Sequence, residues 1–200
     1  MTALTPEHIL DTAEDVLRRY GPDKATVVDV ARALGVTHAA VYRHFPSKAA
    51  LRAAVAERWL ERAHEPLLPV LDNGQPPPER LRTWLHTLLD AKRRKVLDDP
   101  ELFATYHVLA VEASEVVAEH VADLVRQVRE ILADGAADGY FRPGAPEVAQ
   151  AVLDATTRFH HPGHAGEWRD EAVHNRLDEV CDLILSGLLV TRSRSGRARR

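Results

Sequence analysis

Apolar residues recur along most of this chain at intervals of three and four, and breaks bearing Gly and Pro separate the stretches that keep this interval. The first stretch opens at Thr5-Pro6-Glu7-His8, with Pro at the first helical position and an acid in the first turn. It places Ile9, Ala13, Val16, Leu17 and Tyr20 on one face and ends at Tyr20-Gly21-Pro22. Val27, Val30, Ala31 and Leu34 then fall at i, i+3, i+4 and i+7, a single helical stripe. Thr26 precedes them as an N-cap; Asp29 stands where a full capping box has Glu or Gln, so half of that signal is present. Gly35 supplies the left-handed backbone that ends a helix. Thr37 caps a second short helix, with Val41 and Phe45 inward and Thr37, His38, Tyr42, Arg43 and His44 outward. Pro46-Ser47 closes it, and Ser47 caps a fourth helix reaching about His64, along which Leu51, Val55, Arg58, Trp59 and Arg62 trace the faces.

Residues 66–78, with Asp72-Asn73-Gly74 and three consecutive prolines, read as a loop, although Leu67, Leu68, Val70 and Leu71 require cover. Five helices are expected after it, over about 78–97, 100–112, 114–133, 146–160 and 168–191, with Asp98-Asp99 capping the second of them. Turn-rich joints fall at 136–146 and at His161-Pro162-Gly163-His164-Ala165-Gly166. The predicted fold is all-α, with about nine helices: a helical N-terminal domain over 1–46, a helical body over 47–191 whose first part, 47–64, is a connecting helix, and a disordered basic tail over 192–200. That tail either adds non-specific attraction to DNA or merely solubilises the chain.

Two short helices around a tight turn form a helix-turn-helix, in which the second helix enters the DNA major groove. Small Ala31, the turn at Gly35 and apolar Val41 have the spacing such packing needs, but an ordinary helical hairpin has it too. Charge placement favours the first reading. The whole chain of 200 residues carries a net charge of only −4. Yet no Asp or Glu occurs from Val30 through Ala56, where Arg32, Arg43, Lys48 and Arg52 lie, as a surface approaching phosphates requires. Val96 to Thr191 holds six Arg against eighteen acidic residues. The remaining basic clusters are Lys92-Arg93-Arg94-Lys95 and the tail, with Arg192, Arg194, Arg197, Arg199 and Arg200.

The run Val41-Tyr42-Arg43-His44-Phe45-Pro46-Ser47-Lys48-Ala49-Ala50-Leu51, together with the opening helix and Thr26 to Gly35, resembles the TetR/AcrR family of bacterial repressors. The family's usual pattern there is apolar-Tyr-x-His/Tyr-Phe-x-Ser/Asn-Lys-x-x-Leu. Thr26, Thr37, Tyr42 and Lys48 have the chemistry for phosphate contacts, and residues matching them in the family commonly touch the DNA backbone. His38, Ala39, Ala40 and Arg43 are assigned to the groove: Arg43 suits a bidentate contact to guanine, and Ala39 or Ala40 a thymine methyl. His44 is expected at the backbone. The family often has Lys and Gly where His38 and Ala39 stand, a departure that bears on the base-readout assignments and not on the fold.

The resemblance further implies a homodimer on a palindromic double-stranded DNA operator, released by a small-molecule inducer. Val148, Ala151, Val152, Ala155, Thr156 and Phe159 on the penultimate helix would form the dimer face with Leu177, Val180, Cys181, Ile184, Gly187, Leu188 and Thr191 on the last, unless they serve only the monomer core. The inducer is expected in an apolar cavity of the body lined by Trp84, Leu88, Phe103, Tyr106, His107, Val111, Val125, Phe159 and His160, again with a filled core as the alternative. His107, His120, His161 and His164, with Glu112 nearby, suit a divalent metal such as Zn, Ni or Fe, or else structural roles; a metal-responsive regulator is the alternative function. Lone Cys181 is expected to be a buried, inert thiol. No catalytic motif is present, so the chain is not expected to be an enzyme. With no signal peptide and no apolar run long enough for a membrane span, it is expected in the cytoplasm.

Overall fold

The computed structural model describes residues 4–98 and 100–190, and the side chain of Glu101 is not described. The caps expected from Asp99, the packing of Thr191 and the tail from Arg192 lie outside the described residues. These residues form ten α-helices rather than nine, with three short 3-10 stretches. They fall into two compact units, one drawn from Met1–Pro66 and Asp90–Asp123, the other from Leu67–Leu89 and Leu124–Arg200. The boundary expected at residue 46 therefore falls inside the first unit.

In the first unit, α1 (Pro6–Lys24), α2 (Val27–Leu34), α3 (His38–Tyr42) and α4 (Lys48–His64) are joined by α7 (Pro100–Glu112) and by parts of α6 (Pro77–Asp98) and α8 (Ser114–Ala137). Thr5 caps α1 by accepting from the His8 amide. Gly21, at φ 75°, breaks its helical path where the sequence ended it, and one further turn follows to Lys24. Ile9, Ala13, Val16 and Leu17 are buried against α2 and α4, whereas Tyr20, expected inside, is 46% exposed just before the kink. The α2 cap is complete: Thr26 accepts from the Asp29 amide and Asp29 Oδ2 accepts from the Thr26 amide at 3.1 Å. Asp29 therefore closes the capping box in place of Glu or Gln. Gly35 ends α2 at φ 67°. Val27, Val30 and Ala31 of α2 and Val41 of α3 are buried, and Leu51 and Val55 bury the inner face of α4.

A buried carboxylate fastens α1 to α4. Glu14 accepts from Arg58 Nε at 2.9 Å and Arg58 Nη2 at 2.6 Å, and also from Arg62. Burial pushes its pKa up, but the hydrogen bonds from Arg62 and Arg58 outweigh that and hold it below the usual carboxylate range. This clamp explains why α4 belongs to the N-terminal unit. At the other end of α4, Arg52 pairs with Glu112 of α7 at 3.1 Å.

The second unit contains α5 (Leu68–Leu71), α9 (Ala149–Ala155), α10 (Val173–Leu188) and the remaining parts of α6 and α8. The expected loop thus holds one helical turn, in which Leu67 and Val70 find cover and Leu68 stays exposed. Trp84, Leu88, Val128, Ile131, Leu132, Phe141, Trp168 and Leu177 are fully enclosed. α8 runs to Ala137, past the predicted end, because the Phe141 ring packs directly on Gly135. The penultimate helix breaks: 3-10 turns at Pro146–Val148 and Thr157–Phe159 flank α9. The buried Thr156 hydroxyl donates to the Val152 and Leu153 carbonyls at 3.0 Å, competing with the backbone ladder where the helix stops. The last helix starts at Val173 instead of 168, since residues Pro162–Arg169 wind as 3-10 and anchor the Trp168 indole on the Arg158 carbonyl at 2.8 Å.

Candidate nucleic-acid interface

The exposed face of the helix-turn-helix rests on a firm base. Val41 is fully buried behind α3, and its carbonyl accepts from the Phe45 amide at 3.0 Å, carrying the turn beyond the helix. Ser47 then caps α4 by accepting from the Ala50 amide at 3.0 Å. Between these anchors, Thr37, His38, Ala39, Tyr42, Arg43, His44 and Lys48 all face outward. The His38 and Tyr42 rings, one helical turn apart, meet edge to face at 6.3 Å. No carboxylate belongs to this surface, which begins just past Asp29; that carboxylate is held below its usual range by the Thr26 hydroxyl and paired with Arg32 at 2.9 Å.

Three sequence assignments change. Ala40 is only 7% exposed, because a five-residue helix held on α2 turns its third and fourth positions to the core. Ala40 is thus withdrawn from the outward face, and Ala39 is the small residue left on it. Thr37 is the N-cap by backbone geometry, but its hydroxyl makes no cap bond and stays open to a partner. Thr26 spends its hydroxyl on Asp29, to which it donates at 2.5 Å, so its first duty is the cap. Sequence reasoning missed Val28, 51% exposed on the outer side of α2. Its place opposite the 27/30/31/34 stripe was the available signal.

The residues expected to line a cavity in the body are divided between the two units. Trp84 and Leu88 are packed in the second unit, where the Trp84 indole donates to Gln127 at 2.9 Å. In the first unit, Phe103 and Tyr106 are buried around Trp59, with Tyr106 stacked on it at 4.6 Å. His107 and Val111 point to solvent from α7, Val111 being 71% exposed, because Phe103, Tyr106 and Leu109 take the inner face. Phe159 is core, and His160 bonds through its ring nitrogen to the Leu153 carbonyl at 3.1 Å.

Three of the histidines expected at a metal, His120, His161 and His164, have other partners. His120 is buried at 3.3 Å from the Lys92 ammonium and stacks on His64. His161 accepts from the Gly163 amide at 3.1 Å, and His164 pairs with Glu167 at 3.0 Å. Among the described residues no three metal-ligating side chains come together. Burial raises the Cys181 thiol to about 11, as expected of an inert cysteine.

Of the residues assigned to a dimer face, Val152, Phe159 and Leu188 are buried within the chain itself. Ala155 and Gly187 are exposed, and Val180 and Ile184 half-buried. α10 carries two apolar stripes: Leu177, Cys181, Leu185 and Leu188 face inward, while Val180, Leu183, Ile184 and Gly187 face outward at i, i+3, i+4 and i+7. Leu183, 73% exposed, was not singled out. No helix among the described residues is long and apolar enough to cross a membrane.

Comparison with known proteins agrees with this geometry. The family described as "Bacterial regulatory proteins, tetR family" matches residues 9–55, and "Tetracyclin repressor-like, C-terminal domain" matches 77–181. The uncharacterized HTH-type transcriptional regulator Rv1255c of Mycobacterium tuberculosis is 32% identical over 105 residues, covering 52% of this chain and 50% of that protein, so the match spans about half of that relative's length. The HTH-type transcriptional repressor Rv1474c of the same organism is 27% identical over 186 residues, covering 90% of this chain and 78% of the relative. Among solved structures, a TetR transcription regulator from Haloarcula marismortui superposes with a TM-score of 0.67 at 20% identity, covering 92% of this chain and 98% of that one, which speaks for the fold. The helix-turn-helix read from Thr26 to Lys48, the all-α body behind it and the two matched families agree: this chain belongs to the TetR family of bacterial transcriptional regulators.

Proposed function

We propose that the protein is a repressor that binds a palindromic DNA operator as a homodimer and is released by a small organic effector. The observation that carries the reading is the acid-free outward surface formed by Thr37, His38, Ala39, Tyr42, Arg43, His44 and Lys48 on a buried base. Such a surface brings hydroxyls and cations to phosphates and Arg43 to base edges, with no like-charge repulsion from carboxylates. The outward stripe of α10 supports the dimer, since apolar residues at helical spacing on an already packed helix suit a symmetry mate. Two recognition helices related by such a dyad would read half-sites about one DNA turn apart. An effector acts by binding better to a conformation in which that spacing is wrong, and its differential affinity sets the extent of release. The repressor named Rv1474c matches over most of this chain and supports repression as the direction of control.

The test is a gel-shift titration against DNA flanking the protein's own gene, in rising salt. Sequence-selective binding that persists as non-specific binding falls away is expected. Absence of sequence preference at every salt concentration would overturn the proposal.

A further inference from the structure

The run Lys92-Arg93-Arg94-Lys95 lies on the part of α6 within the first unit, and two of its cations have left solvent. Lys92 is 4% exposed, and its ammonium lies 5.8 Å from the Trp59 ring centroid. Lys95 donates to the Trp59 carbonyl at 2.8 Å and sits 4.4 Å from the same ring. Among the described residues neither ammonium has an ion pair. Removing an ammonium from water without a counter-charge opposes folding. Burial lowers Lys92 to about 8; burial, then the neighbouring Lys92 and Arg62, lower Lys95 to about 7. Folding alone would favour methionine at either position, so the concentrated positive charge calls for another explanation.

Beside these lysines opens a cleft of about 400 Å³. It is lined by Arg18 of α1, Trp59 and Arg62 of α4, Arg94 and Lys95 of α6, and Phe103 of α7. Its cations are unequal. Arg18 pairs with Asp15 at 2.9 Å and Arg62 is held by Glu14, whereas Arg94 is exposed and has no ion pair among the described residues. Among the described residues Asp98 is the one carboxylate in the lining. Trp59 and Phe103, 6.0 Å apart between ring centroids, form an aromatic corner under the charges. A concave site of this size, with an apolar wall and convergent cations, has the form of a small-molecule site. Its occupant must be negative and flat.

We infer that this cleft binds an aromatic carboxylate, the carboxylate lying between Lys95 and Arg94 and the ring along Trp59 and Phe103. The site names an effector class for the repressor proposed above and rests on that reading for its consequence, though not for the binding itself. It also reaches the DNA-reading unit directly. Arg18 follows Val16 and Leu17, which are buried beneath α2, and Arg62 shares Glu14 with Arg58 in the α1–α4 clamp. A carboxylate that competes with Glu14 for Arg62 loosens that clamp, and with it the placement of α2 and α3.

Isothermal titration of the whole protein, without DNA, tests the site with three probes: 1-naphthoate, its neutral analogue 1-naphthamide, and inorganic phosphate. Naphthoate is expected to bind at least about tenfold more tightly than naphthamide, the worth of a charge-assisted hydrogen bond. Lys95→Met and Arg94→Gln should each weaken naphthoate by about the same factor and leave naphthamide unchanged. Arg94→Gln alters an exposed side chain, so it remains informative should Lys95→Met perturb the fold. Equal binding of naphthoate and naphthamide, or naphthoate binding indifferent to both substitutions, would overturn the inference. So would displacement of naphthoate by equimolar phosphate, which would leave a bare anion hole. Because no DNA is present, failure of operator binding would sink the repressor reading without touching this result, and loss of naphthoate binding would leave operator recognition standing.

Discussion

Lys95 and Trp59 meet twice: the ammonium donates to the Trp59 carbonyl at 2.8 Å and lies 4.4 Å from the centre of the same residue's indole ring. Together these contacts offset part of the cost of burying the charge, but Lys95 still falls to about 7 against an ordinary 10.5. At pH below 7 the lysine is charged in both folded and unfolded chains, and the full penalty applies. As pH rises through 7 the folded chain releases the proton while the unfolded chain keeps it, so stability climbs until about 10.5. Lys95→Met should therefore raise the urea midpoint at pH 6, by an amount on the order of 3 kcal/mol in free energy, and flatten the rise between pH 7 and 10. A midpoint that falls at pH 6 on this substitution would show that the cation–ring and carbonyl contacts outweigh desolvation.

Glu14 answers to the opposite sign. Its folded pKa is lowered, so the stability it contributes is present above the unfolded value of 4.5 and lost as pH falls through the folded one. Glu14→Gln removes the carboxylate that Arg58 and Arg62 share, leaving Arg58 with Asp11 at 2.8 Å and Arg62 without its partner. A loss of about 2 kcal/mol is expected at pH 7, less than for a fully enclosed pair because Arg62 remains part-exposed. Chemical denaturation at pH 7 and pH 3 measures it, and the difference from wild type should shrink at the lower pH.

On the DNA face, Arg43 and Lys48 are both exposed but differ in chemistry. Arg43→Ala should relax sequence preference by about 1–3 kcal/mol at one operator position. Lys48→Ala should weaken binding to all sequences and reduce the slope of log affinity against log salt by about one. Gel shifts with operator and scrambled DNA across a salt series separate the two outcomes.

What could be read in advance was local. The cap at Thr26, the stop at Gly35 and the stripe Val27, Val30, Ala31 are encoded within single turns, and the structure reproduces them. Ala40 was misplaced because α3 is only five residues long, too short for its sequence alone to separate the buried arc from the open one. His107 and Val111 were misplaced for a related reason: α7 is apolar on more than one side, so periodicity does not say which side meets the core. The break at Thr156 depends on a hydroxyl bonding back to its own helix, and the burial of Lys92 and Lys95 depends on Trp59 arriving from α4. Contacts of that second kind join residues far apart in the chain, and composition shows them only as a basic cluster.

Gly135 tests a close approach inside the second unit. A Cβ placed there would lie 2.1 Å from Cδ2 of the Phe141 ring, and that ring is fully buried. Helix propensity alone makes Gly135→Ala favourable by about 1 kcal/mol. Overpacking reverses the sign, so a net loss of about 1–2 kcal/mol is expected. Thermal unfolding of the single mutant, and of a Gly135→Ala, Phe141→Leu pair that restores room, checks it: the second change should recover part of the loss.

Leu183 decides whether α10 has a partner. The inward stripe of Leu177, Cys181, Leu185 and Leu188 already seats the helix, so nothing within the described fold requires a large apolar residue at 183. An exposed leucine beside Val180, Ile184 and Gly187 does make sense against a symmetry mate, where Gly187 has no atom within 4 Å of an added Cβ and leaves space for approach. In a two-fold interface each substitution acts twice, and a carboxylate at 183 would face its own copy or the apolar stripe around it. Leu183→Glu should therefore raise the dimer dissociation constant at least about a hundredfold, read by analytical ultracentrifugation. Its effect on the folded monomer should stay within about 0.5 kcal/mol, because the residue lies on the surface. Operator affinity should fall with dimerisation and recover at high protein concentration. A dimer unchanged by Leu183→Glu would move the interface away from α10 and leave its outward stripe without an occupant.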